Sequence, residues 1–231
     1  MDELLEIGIL PVIVTLLAFR TGQFFQQKTK SPLCNPILIA VILVLLFLTG
    51  TGMELGDYQQ GTSLLSWLMT PATVCLAISM YEQFQVLRKS TPMILAGVAA
   101  GALSCLLTVL LFALAAGFDR TLTVSLLPKS VTTAIGVPLS QIAGGMDSIT
   151  TAAIILTGIT ASVLGPGLCR LFRLTDEVSR GVAFGTAGHV IGTAKANEIS
   201  ALTGAVSSLS LVVAGLLTAV ILPLAVQLLP Q

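Results

Sequence analysis

Five stretches of this chain carry no charged side chain: residues 31–53, 58–81, 90–118, 148–169 and 199–231. A bilayer core about 30 Å thick takes roughly 20 apolar residues of helix, so each stretch can span it. With 55% hydrophobic and 10% charged residues and a mean hydropathy of +0.97, the chain reads as an all-α polytopic membrane protein. Residues 7–19 form a shorter apolar run that reads as a first helix. The acidic start Asp2, Glu3, Glu6 lacks the basic region and cleavage site of a signal peptide.

Zero net charge and a pI near 6.5 give no reason to expect nucleic acid as a partner. Cys34, Cys75, Cys105 and Cys169 are scattered singly inside apolar runs, without metal-ligand spacing, and read as packing residues. No nucleophile–base set, HExxH pattern or phosphate loop occurs. The sequence therefore predicts neither an enzyme nor a cofactor or metal site.

Lysine and arginine gather on the cytoplasmic side of short loops. Arg20, Lys28 and Lys30 follow the first helix and Arg88 and Lys89 the third, whereas the loop 50–61 holds only Glu54 and Asp57. This places the amino terminus outside, with helices at 7–19, 36–50, 64–81 and 92–117 alternating in direction. Arg170, Arg173 and Arg180 put the end of 148–169 inside, and a last helix over 203–228 ends outside. Segments 122–145 and 181–200 then begin and end on one face each. The preferred solution makes both re-entrant; the alternative has both cross as broken helices. The expectation is about six full transmembrane helices plus these two segments, in one membrane domain of two possible inverted halves, 1–118 and 119–231.

Both segments are polar. In the first, Pro128, Gly136 and Pro138 interrupt the helix, and Lys129, Ser130, Thr132 and Thr133 follow the break. A helix starting there aims free N–H groups and its positive dipole end at one spot. With a lysine beside it, that spot suits a carboxylate. The bland alternative is a lysine that snorkels to the surface above hydroxyls that bond to neighbouring helices. In the second segment Gly181, Gly185, Gly188 and Gly192 fall on one stripe of an unbroken helix, flanked by Thr186, His189, Thr193 and Asn197. A bare stripe lets a backbone or a ligand come close. His189, the only histidine, together with Lys195 and Glu198, is a candidate proton-handling group; the alternative is an interhelical hydrogen bond. Pro71 with Thr73 marks a candidate break in the third helix, and Asp147–Ser148 reads as an N-cap.

The strings Leu126-Leu-Pro-Lys-Ser-Val-Thr-Thr133, Ile155-Leu-Thr-Gly-Ile159, Leu164-Gly-Pro166 and Gly185-Thr-Ala-Gly-His-Val-Ile-Gly-Thr-Ala194 resemble the LrgB/CidB family, as does Pro71-Ala-Thr-Val74. The family often has proline where Ala134 stands and serine where Gly188 stands. The resemblance covers nearly the whole chain and implies a bacterial inner-membrane protein. It implies two functional stories. One is an antiholin-like modulator of murein hydrolase export and lysis, working with a small LrgA-like membrane protein. The other follows a plastid relative that exports glycolate and glycerate, and bacterial relatives associated with pyruvate uptake. Polar broken segments entering from opposite faces favour the second: a secondary transporter of small monocarboxylates. Its expected substrate site is Lys129, Ser130, Thr132, Thr133, Thr186, Gly192, Thr193 and Asn197, with His189, Lys195 and Glu198 coupling a proton. A homodimer in the lipid bilayer is the expected assembly.

Overall fold

The computed structural model describes residues 2–29, 35–227 and 229; Lys30 and Cys34 lie outside them. Among the described residues the regular elements are ten α-helices: α1 (Asp2–Thr29), α2 (Pro36–Thr51), α3 (Leu55–Gly61), α4 (Ser63–Glu82), α5 (Phe84–Ala116), α6 (Arg120–Leu126), α7 (Thr133–Ile142), α8 (Asp147–Leu171), α9 (Glu177–Ile199) and α10 (Ala201–Gln227). Four are long and apolar enough to cross a membrane, Ile9–Thr29 of α1 and helices α5, α8 and α10, and α2 is a shorter apolar helix. This is an all-α, multi-pass membrane protein.

Two compact units divide the chain, residues 1–75 and 76–231. In the first, α1 packs on α2 and α3. A Cβ on Gly22 would stand 2.8 Å from the Pro36 Cα, a close approach that only glycine permits. Thr15 Oγ1 donates to the Pro11 carbonyl and lies 2.6 Å from the Tyr58 hydroxyl. Pro71 lies inside a continuous α4 and is exposed; the Thr73 side chain lies outside what the structure describes.

The second unit is three long helices and two helical hairpins. Helix α5 starts at Phe84, a turn before the basic pair and two turns before the predicted start at Pro92. Pro92 has no N–H to give to the Arg88 carbonyl, yet α5 continues through it; the Thr91 hydroxyl donates to the Leu87 carbonyl at 2.8 Å.

Helices α6 and α7 are the limbs of the first hairpin. The Met146 N–H donates to Ser125 Oγ at 2.7 Å, so residues 21 apart in sequence meet where the segment leaves. Val124, Leu127, Leu139 and Ala143 from both limbs share a core with Leu106, Leu222 and Val226.

The second hairpin lies inside α9. His189 has φ 42° and ψ −135°, which breaks the helix. Its limbs, 177–188 and 190–199, run back along each other. A Cβ on Gly192 would sit against the Phe184 carbonyl and 3.7 Å from the Phe184 Cα, and Phe184 packs with Ala196. In an unbroken helix, residues eight apart stand about 12 Å from each other. The predicted single glycine stripe is therefore corrected. Gly181 and Gly185 face α10 at Val206 and Ser207, Gly188 faces Ala161 of α8, and Gly192 faces the opposite limb. The reversal at His189 is the physical reason.

The two hairpins approach α8 from opposite ends. The first meets its start through Ser140 Oγ and Thr150 Oγ1, 2.7 Å apart. The second meets its far end where Phe184 lies against Gly165 and Cys169. Helices α5 and α10 run the other way: Leu87 and Val206 pack with Val178 beside the base of the second hairpin, Leu106 and Leu222 with the first. Of the two topologies open to the sequence, the re-entrant one is the geometry found.

Asp176 caps the second hairpin, accepting the Ser179 N–H at 2.8 Å and its hydroxyl at 2.9 Å. These bonds, the backbone one first, hold the exposed carboxyl below its ordinary value. A lowered carboxylate stabilises the fold above its unfolded pKa, and that contribution fades as acid protonates it. Asp176→Ala is expected to cost about 1 kcal/mol, with the difference from wild type shrinking below pH 4 in detergent melts. Gly192→Ala should lower the melting temperature by several degrees, because a Cβ there displaces the Phe184 backbone. Gly167→Ala, with open space around its Cβ, should leave stability unchanged or slightly raised.

Candidate functional site

The tips of the two hairpins and the facing sides of α5 and α8 enclose a partly open cavity of about 670 Å3. The first tip contributes Lys129 and Ser130, the second Thr186 and Ala187. Helix α5 lines it with Gly97, Gly101 and Cys105, and α8 with residues including Thr157, Thr160 and Ala161. Ser130 and Thr186 are each 6% exposed. Thr186 Oγ1 is buried and has no hydrogen-bond partner among the described residues. A buried hydroxyl left unpaired costs about 1–3 kcal/mol, so this atom is placed for a partner that the protein itself does not supply.

Lys129 is half-buried. Among the described residues the ion pair is Lys195–Glu198, at 2.6 Å, so the Lys129 ammonium meets no carboxylate there. Thr132 is the N-cap of α7 without a side-chain capping bond, and Thr133 begins the helix. Both are half-buried next to the cavity wall rather than on it. The positive end of α7 thus stands at the tip, as its residues predict.

The remaining predicted residues are spread along the second hairpin. His189 Nε2 lies 2.9 Å from the Ile154 carbonyl oxygen of α8, and the ring occupies the notch left by Gly158, whose Cβ would stand 2.7 Å from Nε2. Thr193 Oγ1 donates to the His189 carbonyl one turn back, at 2.8 Å, and meets Ser207 Oγ of α10 at 2.8 Å. Asn197 is exposed, with Gly204 close against its side chain. Lys195 and Glu198 pair with each other on the returning limb. The structure therefore brings Lys129, Ser130 and Thr186 together and sets His189, Thr193 and Gly192 to hold the reversal. It leaves Asn197, Lys195 and Glu198 toward the hairpin base.

Sequence reasoning missed Gly97, Gly101, Cys105, Thr157 and Thr160. They sit on long helices where nothing local marks them. Spacing alone offered one signal: Gly97, Gly101 and Cys105 recur every four residues, a small-residue row of the kind that lets another backbone approach. A Cβ on Gly101 would press the Thr186 methyl at 2.8 Å.

Three helices long and apolar enough to span a membrane, around two opposed helical hairpins, define a class of all-α membrane protein. Within that class the particular family follows from comparison. The LrgB-like family matches residues 15–228. The antiholin-like protein LrgB of Bacillus subtilis is 34% identical over 218 residues, 94% of each chain. The holin-like protein CidB of Staphylococcus epidermidis is 32% identical over 228 residues, 99% of each chain. No solved structure matches the chain. The chain belongs to the LrgB-like family.

Gly158→Ala is expected to drive the His189 ring from the Ile154 carbonyl at a cost of about 1–3 kcal/mol. The histidine ring resonances in an NMR spectrum should shift with it. Gly158→Ala with unchanged melting and unchanged ring shifts would show that the notch does not hold the reversal.

Proposed function

We propose that this protein is a secondary carrier, or the transport subunit of one, for small 2-hydroxy or 2-oxo monocarboxylates. The observation that carries the reading is the cavity where two opposed hairpins meet, holding an ammonium without a carboxylate partner and a buried hydroxyl without any partner among the described residues. Opposed discontinuous helices around a mid-membrane site are a recurrent solution for transporting small ions. In this reading Lys129, Ser130, Thr186 and the amino end of α7 hold the carboxylate. Alternating access follows from rocking of one hairpin against α8. His189, at the hairpin turn, is the group assigned to a co-transported proton. Lys195, Glu198 and Asn197 are assigned no ligand contact.

Arg88, Lys89, Arg170, Arg173 and Arg180 stand at the second hairpin's end of the unit. The positive-inside rule turns that end to the cytoplasm of a bacterial inner membrane and puts the end of α10 outside; Arg20 and Lys28, at the end of α1, give the amino terminus the same side.

A second reading is supported by the names of the relatives: a non-transporting, holin- or antiholin-like regulator acting through membrane protein contacts. The names weigh for this reading over the carrier, as the cavity weighs for the carrier. A small LrgA-like membrane protein is the proposed partner in either case.

Uptake of labelled glycolate, glycerate and pyruvate into proteoliposomes under a pH gradient, with and without an LrgA-like protein, decides between them. The carrier reading expects saturable uptake, cut tenfold or more by Lys129→Gln, Thr186→Val or His189→Ala. Absence of uptake in sealed vesicles from both preparations would assign the protein to the regulator class.

A further inference from the structure

The cavity is a trough with its charge at one end. Three rows of side chains line it lengthwise. On α5 the row is Gly97, Gly101 and Cys105; on α8 it runs from Leu156 to Leu168; on the first limb of α9 it runs from Ser179 to Ala187. At 1.5 Å per residue these rows are about 12–18 Å long. Leu127, two residues before Lys129, shares a core with Leu106, which follows Cys105. Lys129 and Ser130 therefore close the Cys105 end. At the other end Ser179 follows Val178, which packs with Leu87 and Ile94 below Gly97.

Between the ends the walls are apolar: Leu156, Leu164 and Leu168 of α8 face Val182 and Ala183. Two of the hydroxyls among them already have uses. Thr160 Oγ1 donates to the Leu156 carbonyl at 2.7 Å, and Ser179 Oγ to Asp176 at 2.9 Å. Among the described residues Thr186 Oγ1, toward the Lys129 end, is buried with no hydrogen-bond partner. A three-carbon acid has six heavy atoms. Even at the roughly 30 Å3 of a liquid water each, it fills less than about a third of the trough.

We propose that the site takes monocarboxylates with an extended apolar tail, the carboxylate on Lys129 and Thr186 and the tail along Leu156, Leu164 and Val182. This rests on the carboxylate site of the carrier reading and extends it to a different chemical class of ligand. Gly97 and Gly101 let α5 close on the first limb of α9, since a Cβ at either meets Val182 or Thr186, and the tail's path runs along the α8 wall. Each methylene taken from water into such a wall is worth about 0.8 kcal/mol, which is close to fourfold in affinity.

The experiment is calorimetric titration of the whole protein, in phosphatidylcholine nanodiscs, with propionate, butyrate, hexanoate and octanoate. The expected result is saturable binding that tightens about fourfold per added carbon and is abolished throughout by Lys129→Gln. Leu164→Ala, an apolar truncation at a half-exposed side chain, should weaken octanoate several-fold while leaving propionate unaltered. Binding of propionate and butyrate through Lys129 with no gain from chain length overturns this inference and leaves the carrier reading standing. No binding of any acid overturns both. Loss of octanoate binding in discs containing phosphatidylglycerol would assign the trough to a membrane lipid and overturn the free acid as its occupant.

Discussion

The second hairpin turns on one contact: the His189 ring seated in the notch of Gly158, its Nε2 on the Ile154 carbonyl. A left-handed φ on a non-glycine residue is unfavourable, and an open helix end in a bilayer is worse, because no water is there to satisfy its backbone groups. The ring is anchored to α8, and the Thr193 hydroxyl ties the first turn of the returning limb back to the His189 carbonyl. Once the chain reverses there, Gly192 must lie on Phe184, the returning limb must reach Ser200, and α10 must start from the same end as α9. The direction of α10, and with it the far wall of the first hairpin, follows from a turn of a few residues.

Much of this arrangement was legible in the sequence. Uncharged stretches located α5, α8 and α10 to within a few residues, except that α5 continues through Pro92 toward its amino end. The loop charges pointed to two segments that return to the face they enter, and Pro128, Lys129 and Ser130 marked the first tip. The second tip was harder to see. Glycines at 181, 185, 188 and 192 fit the face of an unbroken helix so well that periodicity argued for continuity, and no residue type declares a positive φ in advance. The seven-residue helix α3 was read only as an acidic loop. Lys195 and Glu198 were grouped with His189 by closeness in sequence, whereas the fold carries them down the returning limb.

Site residues divide along the same line. Lys129, Ser130 and Thr186 were found because a polar residue inside an apolar chain stands out. The glycines of α5 and the threonines of α8 were not, because membrane helices use such residues throughout for packing. What distinguishes Thr186 from Thr193, its near neighbour, is tertiary: one hydroxyl has Ser207 for company and the other has nothing.

The face that α9 presents to α10 has a mechanical consequence. Gly181 and Gly185 meet Val206 and Ser207, and Gly204 meets Asn197, so the seam is made mainly of bare backbone and short hydroxyl side chains. Large interlocking side chains act as cogs, and a helix can slip past them only by lifting each from its socket. This seam has few cogs. It resists separation, because the surfaces are close, and sliding along the helix axis has chiefly the Thr193–Ser207 hydrogen bond and the Val178–Val206 contact to break. The hairpin is held on a rail.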